Sequence, residues 1–157
     1  MESFAPETYR ILVVDDSISI LEIVRTTLNH HGFQVMTAES GEQALELMEN
    51  EGLPHLGLFD INMPMGMDGL ELCERVLQFS DLPIIMLTAV EETSTIVEAI
   101  DRYAEDYMNK PVKSGELLAR VRRVLRSIGQ FAYPLAAFVA VDDDLSVNFA
   151  RLTAVVK

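Results

Sequence analysis

The feature that most constrains this chain is a fivefold alternation: five short runs, mostly apolar, each end on a polar residue, and each is followed by a segment with apolar residues at helical spacing. Arg10–Val14 runs into Asp15 and Asp16, after which Ser17 can cap a helix carrying Ile20, Leu21, Val24 and Leu28. Gly32 stands where a left-handed residue would close that helix. Phe33–Ala38 reads as a second strand, and Ser40 with Gln43 makes a capping box ahead of Ala44, Leu45, Leu47 and Met48. Leu56–Phe59 ends on Asp60, and Asp68 then caps a helix with Leu72, Cys73, Val76 and Leu77. Leu82–Leu87 ends on Thr88 and precedes a helix with Ile96, Val97, Ala99 and Ile100. Asp106–Asn109 ends on Lys110, and Ser114 caps a last helix with Leu117, Leu118, Val121, Val124 and Leu125.

Strand–helix units in series imply an α/β fold: a parallel sheet with helices on both faces, joined by right-handed crossovers. Strands buried on both faces are continuously apolar, as the first, third and fourth are here. In such sheets ligands bind beyond the carboxyl ends of the strands. The residues that end the strands, Asp15, Asp16, Asp60, Thr88 and Lys110, are therefore the candidate site. Singly, each has an ordinary reading: an Asp pair after a strand is commonly a turn or a helix cap, and Lys-Pro a loop. Their conjunction is another matter. Three converging carboxylates repel one another, and burial penalises their charge further. A hard divalent cation with oxygen ligands relieves that repulsion, and Mg²⁺ suits one or two carboxylates together with waters and a phosphate. Lys110 adds a point charge for a phosphoryl oxygen and Thr88 a hydrogen bond for another. The set suits formation of an aspartyl phosphate.

Five segments in order, ILVVDDS (Ile11–Ser17), FDINMP (Phe59–Pro64), MDGLELC (Met67–Cys73), PIIMLTA (Pro83–Ala89) and DYMNKP (Asp106–Pro111), resemble the motifs of the receiver domains of two-component response regulators. The resemblance covers about residues 9–126 and implies a CheY-like, flavodoxin-like doubly wound five-stranded parallel sheet of order 2-1-3-4-5. It implies that Asp60 is the phosphoacceptor. Asp15, Asp16, Asp60 and the backbone carbonyl of Asn62 would then hold Mg²⁺. Thr88 and Lys110 would contact the phosphoryl group, with Ala89 the small residue that leaves access beside Thr88. Tyr107 would be the aromatic switch that moves inward with Thr88. The donor would be a sensor histidine kinase, and the domain a cytoplasmic phosphoacceptor regulator that takes part in its own phosphorylation and dephosphorylation rather than an enzyme.

Two departures from that pattern carry expectations. Pro64–Gly69 holds one residue more than the family's Pro-Gly-Met-Asp-Gly, either Met65 or Gly66, so the loop after Asp60 should be longer or bulged. Tyr103 stands where the family tends to have Gly, so that helix should end differently or Tyr103 should be strained in the left-handed region.

Beyond residue 126 the resemblance is to the OmpR/PhoB class, carried by LLARVRRVLR (Leu117–Arg126) and the tail. Ser127–Gln130 reads as linker, while Leu135–Val141, Leu145–Phe149 and Leu152–Val156 read as short strands around an Asp142–Asp144 turn. The expected division is a receiver domain over 1–126, a linker over 127–134, and over 135–157 the partial start of an effector domain or an extension. The DNA-binding part would then be truncated, and DNA would be bound only through a C-terminal domain that is missing. Net charge agrees: 25 acidic against 12 basic residues, −13 in all, suits nucleic-acid phosphates poorly. In that class a homodimer forms through the fourth helix, fifth strand and fifth helix. Asp101, Asp106, Arg122 and Arg126 are the candidate dimer face, with Glu105, Arg120 and Arg123 nearby.

No run approaches the roughly 18 apolar residues of a membrane span, and the start lacks the basic and apolar regions of a secretory signal. The single Cys73 allows no internal disulfide, which fits a reducing compartment. Two other readings are weaker. A haloacid-dehalogenase-like aspartyl-phosphate phosphatase would want D-x-D where Asp60-Ile-Asn62 stands, and a partner-binding pseudo-receiver would not need the full acidic, hydroxyl and lysine set. No phosphate-binding glycine motif is present.

Overall fold

A continuously apolar strand needs a helix layer on each face, and the sheet is built that way. The computed structural model describes residues 4–89 and 94–131. Five parallel strands, β1 (Arg10–Val14), β2 (Gln34–Ala38), β3 (Leu56–Asp60), β4 (Ile84–Thr88) and β5 (Asp106–Asn109), stand in the order β2-β1-β3-β4-β5. Between and after them run α1 (Ile18–His30), α2 (Gly41–Glu51), α3 (Gly69–Val76), α4 (Ser94–Tyr103) and α5 (Ser114–Phe131). This is the doubly wound order expected above. Alternate residues of β1 divide the core. Ile11 and Val13 meet α1 and α5 through Leu21, Val24, Val121 and Leu125. Leu12 and Val14 meet α2, α3 and α4 through Ala44, Leu72, Val76 and Ile100. Every residue of β3 and β4 is buried, whereas the edge strands β2 and β5 are partly exposed, which is why their sequences mix in Gln34, Thr37, Asp106 and Asn109. Each fully buried Leu or Ile contributes about 1.5–3 kcal/mol. Among the described residues no helix is long and apolar enough to cross a membrane. Cys73 lies in the core, where burial, and then the charge of Glu74, push its thiol up to about 12.

Local chemistry explains most element ends. Ser17 Oγ accepts from Ile20 N (3.3 Å), Ser40 Oγ from Gln43 N (3.1 Å) and Asp68 Oδ1 from Glu71 N (2.9 Å). Such caps are worth about 1 kcal/mol each. Gln43 reaches back to the N–H of Glu39, one residue earlier than a strict capping box. Gly32, at φ +98°, closes α1, with Gly32 N bonded to Asn29 O (3.0 Å) and Phe33 N to Leu28 O (3.1 Å). That pair of bonds is a Schellman motif, and Phe33 packs in the same cluster as Leu28. Phe33 therefore belongs to the cap of α1, and β2 starts one residue later than expected.

Three further expectations are corrected. The strand expected from Leu82 begins at Ile84, since Pro83 has no N–H to give the ladder. Ser114 lies just inside α5, whose opening bond runs from Leu117 N to the carbonyl of Lys113 (2.9 Å). The last helix does not end at Arg126. Residues 127–131, expected to begin the linker, continue it to Phe131, and Ile128 carries the apolar stripe onward against the core. Tyr103, meanwhile, needs no left-handed geometry. It is the last residue of α4, Ala104 N bonds Ile100 O at 2.8 Å, and its hydroxyl donates to Glu74 at 3.0 Å. The remainder of the linker and the strands expected over 135–157 lie outside the described residues.

Candidate functional site

The strands deliver their terminal residues to one edge of the sheet. Asp15 follows β1 and stays in line because its N–H bonds Ala38 O (3.1 Å). Asp60 and Thr88 are the last residues of β3 and β4, and both are buried. Lys110 follows β5, held by a bond from its N–H to Thr88 O (2.8 Å). Asp15 is fully buried, whereas Asp16 is exposed.

These side chains converge. Lys110 Nζ lies 3.0 Å from Asp15 Oδ2 and 3.2 Å from Asp60 Oδ1. One carboxylate oxygen from each of Asp15, Asp16 and Asp60 falls within 4.8 Å of the others. Backbone donors take part of the charge: Ser17 N bonds Asp15 Oδ1 (2.9 Å) and Asn62 N reaches Asp60 Oδ1 (3.3 Å). Asp15 Oδ2 is buried, and its one polar partner among the described residues is the Lys110 ammonium. One ammonium does not balance three carboxylates. Burial, and then the charge of Asp15, push the Asp60 carboxyl up to about 6, with Lys110 pulling the other way. Burial pulls Lys110 down, but its bonds and attraction to Asp15 and Asp60 outweigh this and leave it above its ordinary value. Three converging carboxylates against one ammonium leave excess negative charge on oxygen donors, which fits a hard divalent cation.

Around this centre, Thr88 Oγ1 donates to Asn109 Oδ1 (2.9 Å), Ala89 is exposed, and Tyr107 is 48% exposed. The loop after Asp60 is tied down from two sides. Gly66 turns it at φ +88°, and Glu42 of α2 accepts the Met67 N–H (3.2 Å). Gly69 opens α3 so close to the end of β3 that an added Cβ would lie 2.1 Å from Asp60 O. Sequence reasoning missed Asn109, Glu42 and Gly69 as parts of the site. Only Gly69 left a signal, in the Asp-Gly that starts a helix straight after the loop.

The charges on α5 group differently from the candidate dimer face. Arg120 Nη1 contacts both Asp106 oxygens at 2.9 Å, Arg123 also pairs with Asp106, and Glu116 pairs with Arg120 at 3.0 Å. Residues 116, 120 and 123 form one helical stripe facing β5, and Arg122 and Arg126 lie off it. Arg126 sits over the Phe4 ring, 5.5 Å from its centroid. Asp101 is exposed and Arg122 half-buried. Burial raises the Asp106 carboxyl, but Arg120, the Tyr107 N–H and Arg123 together hold it below its ordinary value.

Comparison with known proteins places the chain. The response regulator receiver domain family matches residues 11–122. The "Probable transcriptional regulator ycf27" of Porphyra purpurea is 44% identical over 143 residues, covering 91% of this chain and 57% of that protein. Response regulator MprA of Mycobacterium sp. (strain KMS) is 42% identical over 118 residues, 74% of this chain and 50% of that protein. The chain thus spans about half the length of the curated relatives it matches. A CheY-like response regulator receiver domain protein from Methanospirillum hungatei superposes with TM-score 0.72 at 31% identity, covering 79% of this chain and 98% of that one. The N-terminal domain of a response regulator/sensory box/GGDEF 3-domain protein from Carboxydothermus hydrogenoformans gives 0.70 at 34%, covering 77% and 97%. Matches of that extent, over the very segment that carries the strand ends, make this chain a member of the response regulator receiver domain family.

Proposed function

We propose that Asp60 accepts a phosphoryl group from the phosphohistidine of a sensor histidine kinase. The observation that carries this is the buried Asp60 carboxylate with Lys110 Nζ 3.2 Å away and Asp15 and Asp16 oxygens within 4.8 Å. An Asp60 oxygen attacks phosphorus, the phosphorus–nitrogen bond breaks, and the leaving imidazole takes a proton. Asp15, Asp16, Asp60 and the Asn62 carbonyl would hold Mg²⁺, which supplies charge neutralisation for the transferring group. Lys110 pairs with one phosphoryl oxygen and Thr88 donates to another. Ala89, small and exposed, leaves the approach open. Tyr107 and Thr88 then rearrange and shift the α4-β5-α5 surface, a population change between two packings.

That surface would form a homodimer and control a transcriptional output domain in the cytoplasm. An alignment of 143 residues within a chain of 157 cannot stop before residue 143. This supports reading the chain beyond the receiver as the linker and the start of an effector, with the linker beginning after α5 rather than at residue 127. DNA contact would belong to that effector.

The test is incubation with Mg²⁺ and acetyl phosphate. The expected result is a mass gain of one phosphoryl group that Asp60→Asn abolishes. No gain would favour a partner-binding pseudo-receiver, and turnover of many phosphate esters a phosphatase.

A further inference from the structure

We infer that Asn109 is a latch on Thr88: its side-chain oxygen holds the hydroxyl proton that a phosphoryl oxygen must capture, and so sets how readily the domain takes up and keeps that group. The inference rests on the phosphoacceptor reading above.

A threonine hydroxyl has one proton to give. Here that proton goes to Asn109 Oδ1 at 2.9 Å. It cannot also go to an oxygen at Asp60, so the two acceptors compete. The arrangement follows from the sheet. Thr88 and Asn109 are register partners in the parallel pair β4 and β5, and partners of that kind project from the same face. Both end their strands, and Asn109 directly precedes Lys110.

Burial decides why the competition matters. Thr88 is 2% exposed, so its hydroxyl needs a partner in the protein. Without a phosphoryl group Asn109 is that partner. Asn109 is exposed, so its amide finds water once Thr88 turns away. The exchange therefore costs little beyond one neutral hydrogen bond, and the side chain of Asn109 can be removed without disturbing the core. The Lys110 N–H to Thr88 O bond (2.8 Å) is made by backbone and survives the change. Asn109 is thus a positioning residue that acts only through the Thr88 hydroxyl.

The experiment is calorimetric titration of the full chain with beryllofluoride in the presence of Mg²⁺. Asn109→Ala should bind about 2- to 10-fold more tightly than the unaltered protein, the worth of one net neutral hydrogen bond. In a Thr88→Ala background the same change should have no effect, and in a Thr88→Ser background, which keeps the hydroxyl, the gain should return. Equal or weaker binding by Asn109→Ala, or an equal gain without the Thr88 hydroxyl, would overturn the latch while leaving the phosphoacceptor reading intact. Failure of the unaltered chain to bind beryllofluoride would overturn both.

Discussion

Asp60 is held in a place where its charge is unwelcome. Burial and the neighbouring Asp15 outweigh Lys110, so its carboxyl titrates at about 6 against an ordinary 3.8. Between those values the folded protein binds a proton that the unfolded chain has already lost. This contribution to stability is present below about pH 4 and is lost as pH rises through about 6 in the metal-free protein. A group destabilised in its charged form should be improved by a neutral isostere. Asp60→Asn is therefore expected to be more stable than the unaltered chain at pH 7–8, by on the order of 1–3 kcal/mol, and to show a flatter pH dependence between 4 and 6. Urea unfolding in EDTA measures both, and an Asp60→Asn protein less stable at pH 8 would contradict this account. The unwelcome charge also suits the role proposed for Asp60, because a carboxylate that lacks compensation is ready for a cation and a phosphoryl group. The strand-end residues were legible in the sequence because each closes an apolar run and the rule for parallel sheets points to that edge. The Asn109 bond was not legible. It joins side chains 21 positions apart, and which acceptor a hydroxyl chooses depends on register and rotamer rather than on pattern.

Between residue and fold stands the loop from Ile61 to Asp68, which the strand supports at one end and α2 and α3 grip at the other. Gly69 is the tightest point of that grip, with Asp60 O 2.1 Å and Ile61 Cα 2.8 Å from where a Cβ would stand. Both neighbours are backbone and have no side-chain freedom with which to yield. Gly69→Ala must therefore displace the end of β3 or the start of α3. The expected cost is about 2 kcal/mol or more, with phosphoryl uptake impaired even where the protein still folds. Glu42→Ala should be milder, since it removes a single bond to Met67 N from an exposed carboxylate: about 0.5–1.5 kcal/mol. Urea midpoints rank the two variants, and equal effects would mean that the loop is held elsewhere. The helix ends show where sequence reading stops. Caps made by a side chain on its own turn, at Ser17, Ser40 and Asp68, were visible. The length of α5 was not, because Ser127 and Gly129 look like a break, whereas Ile128 packs on the core and the helix continues past them.

At the scale of the whole molecule, the balance of 25 acidic to 12 basic residues sets the terms for association. Two copies carrying −13 each repel at long range, and screening confines that repulsion to about 8–10 Å at physiological salt. A dimer therefore needs a patch where both signs occur together and where a two-fold axis can set an acid of each copy against a base of the other. The face of α4, β5 and α5 is such a patch, with Asp101, Asp106, Glu116, Arg120, Arg122 and Arg123. Inside one chain Asp106 is already engaged by Arg120 and Arg123, which leaves Arg122 and the exposed Asp101 off that cluster. The patch also carries Tyr107, half-exposed and next to Asp106, so inward movement of its ring would change the surface that a second copy meets. The full chain is accordingly expected to sediment as a monomer alone and as a dimer with Mg²⁺ and beryllofluoride. Arg122→Glu should hold the loaded protein monomeric while its affinity for beryllofluoride, measured at dilutions where both proteins are monomers, stays unchanged, because Arg122 stands eight residues into α5 and outside the strand-end cluster. A loaded protein that stays monomeric, or an Arg122→Glu variant that dimerises like the unaltered chain, would move the interface off this face.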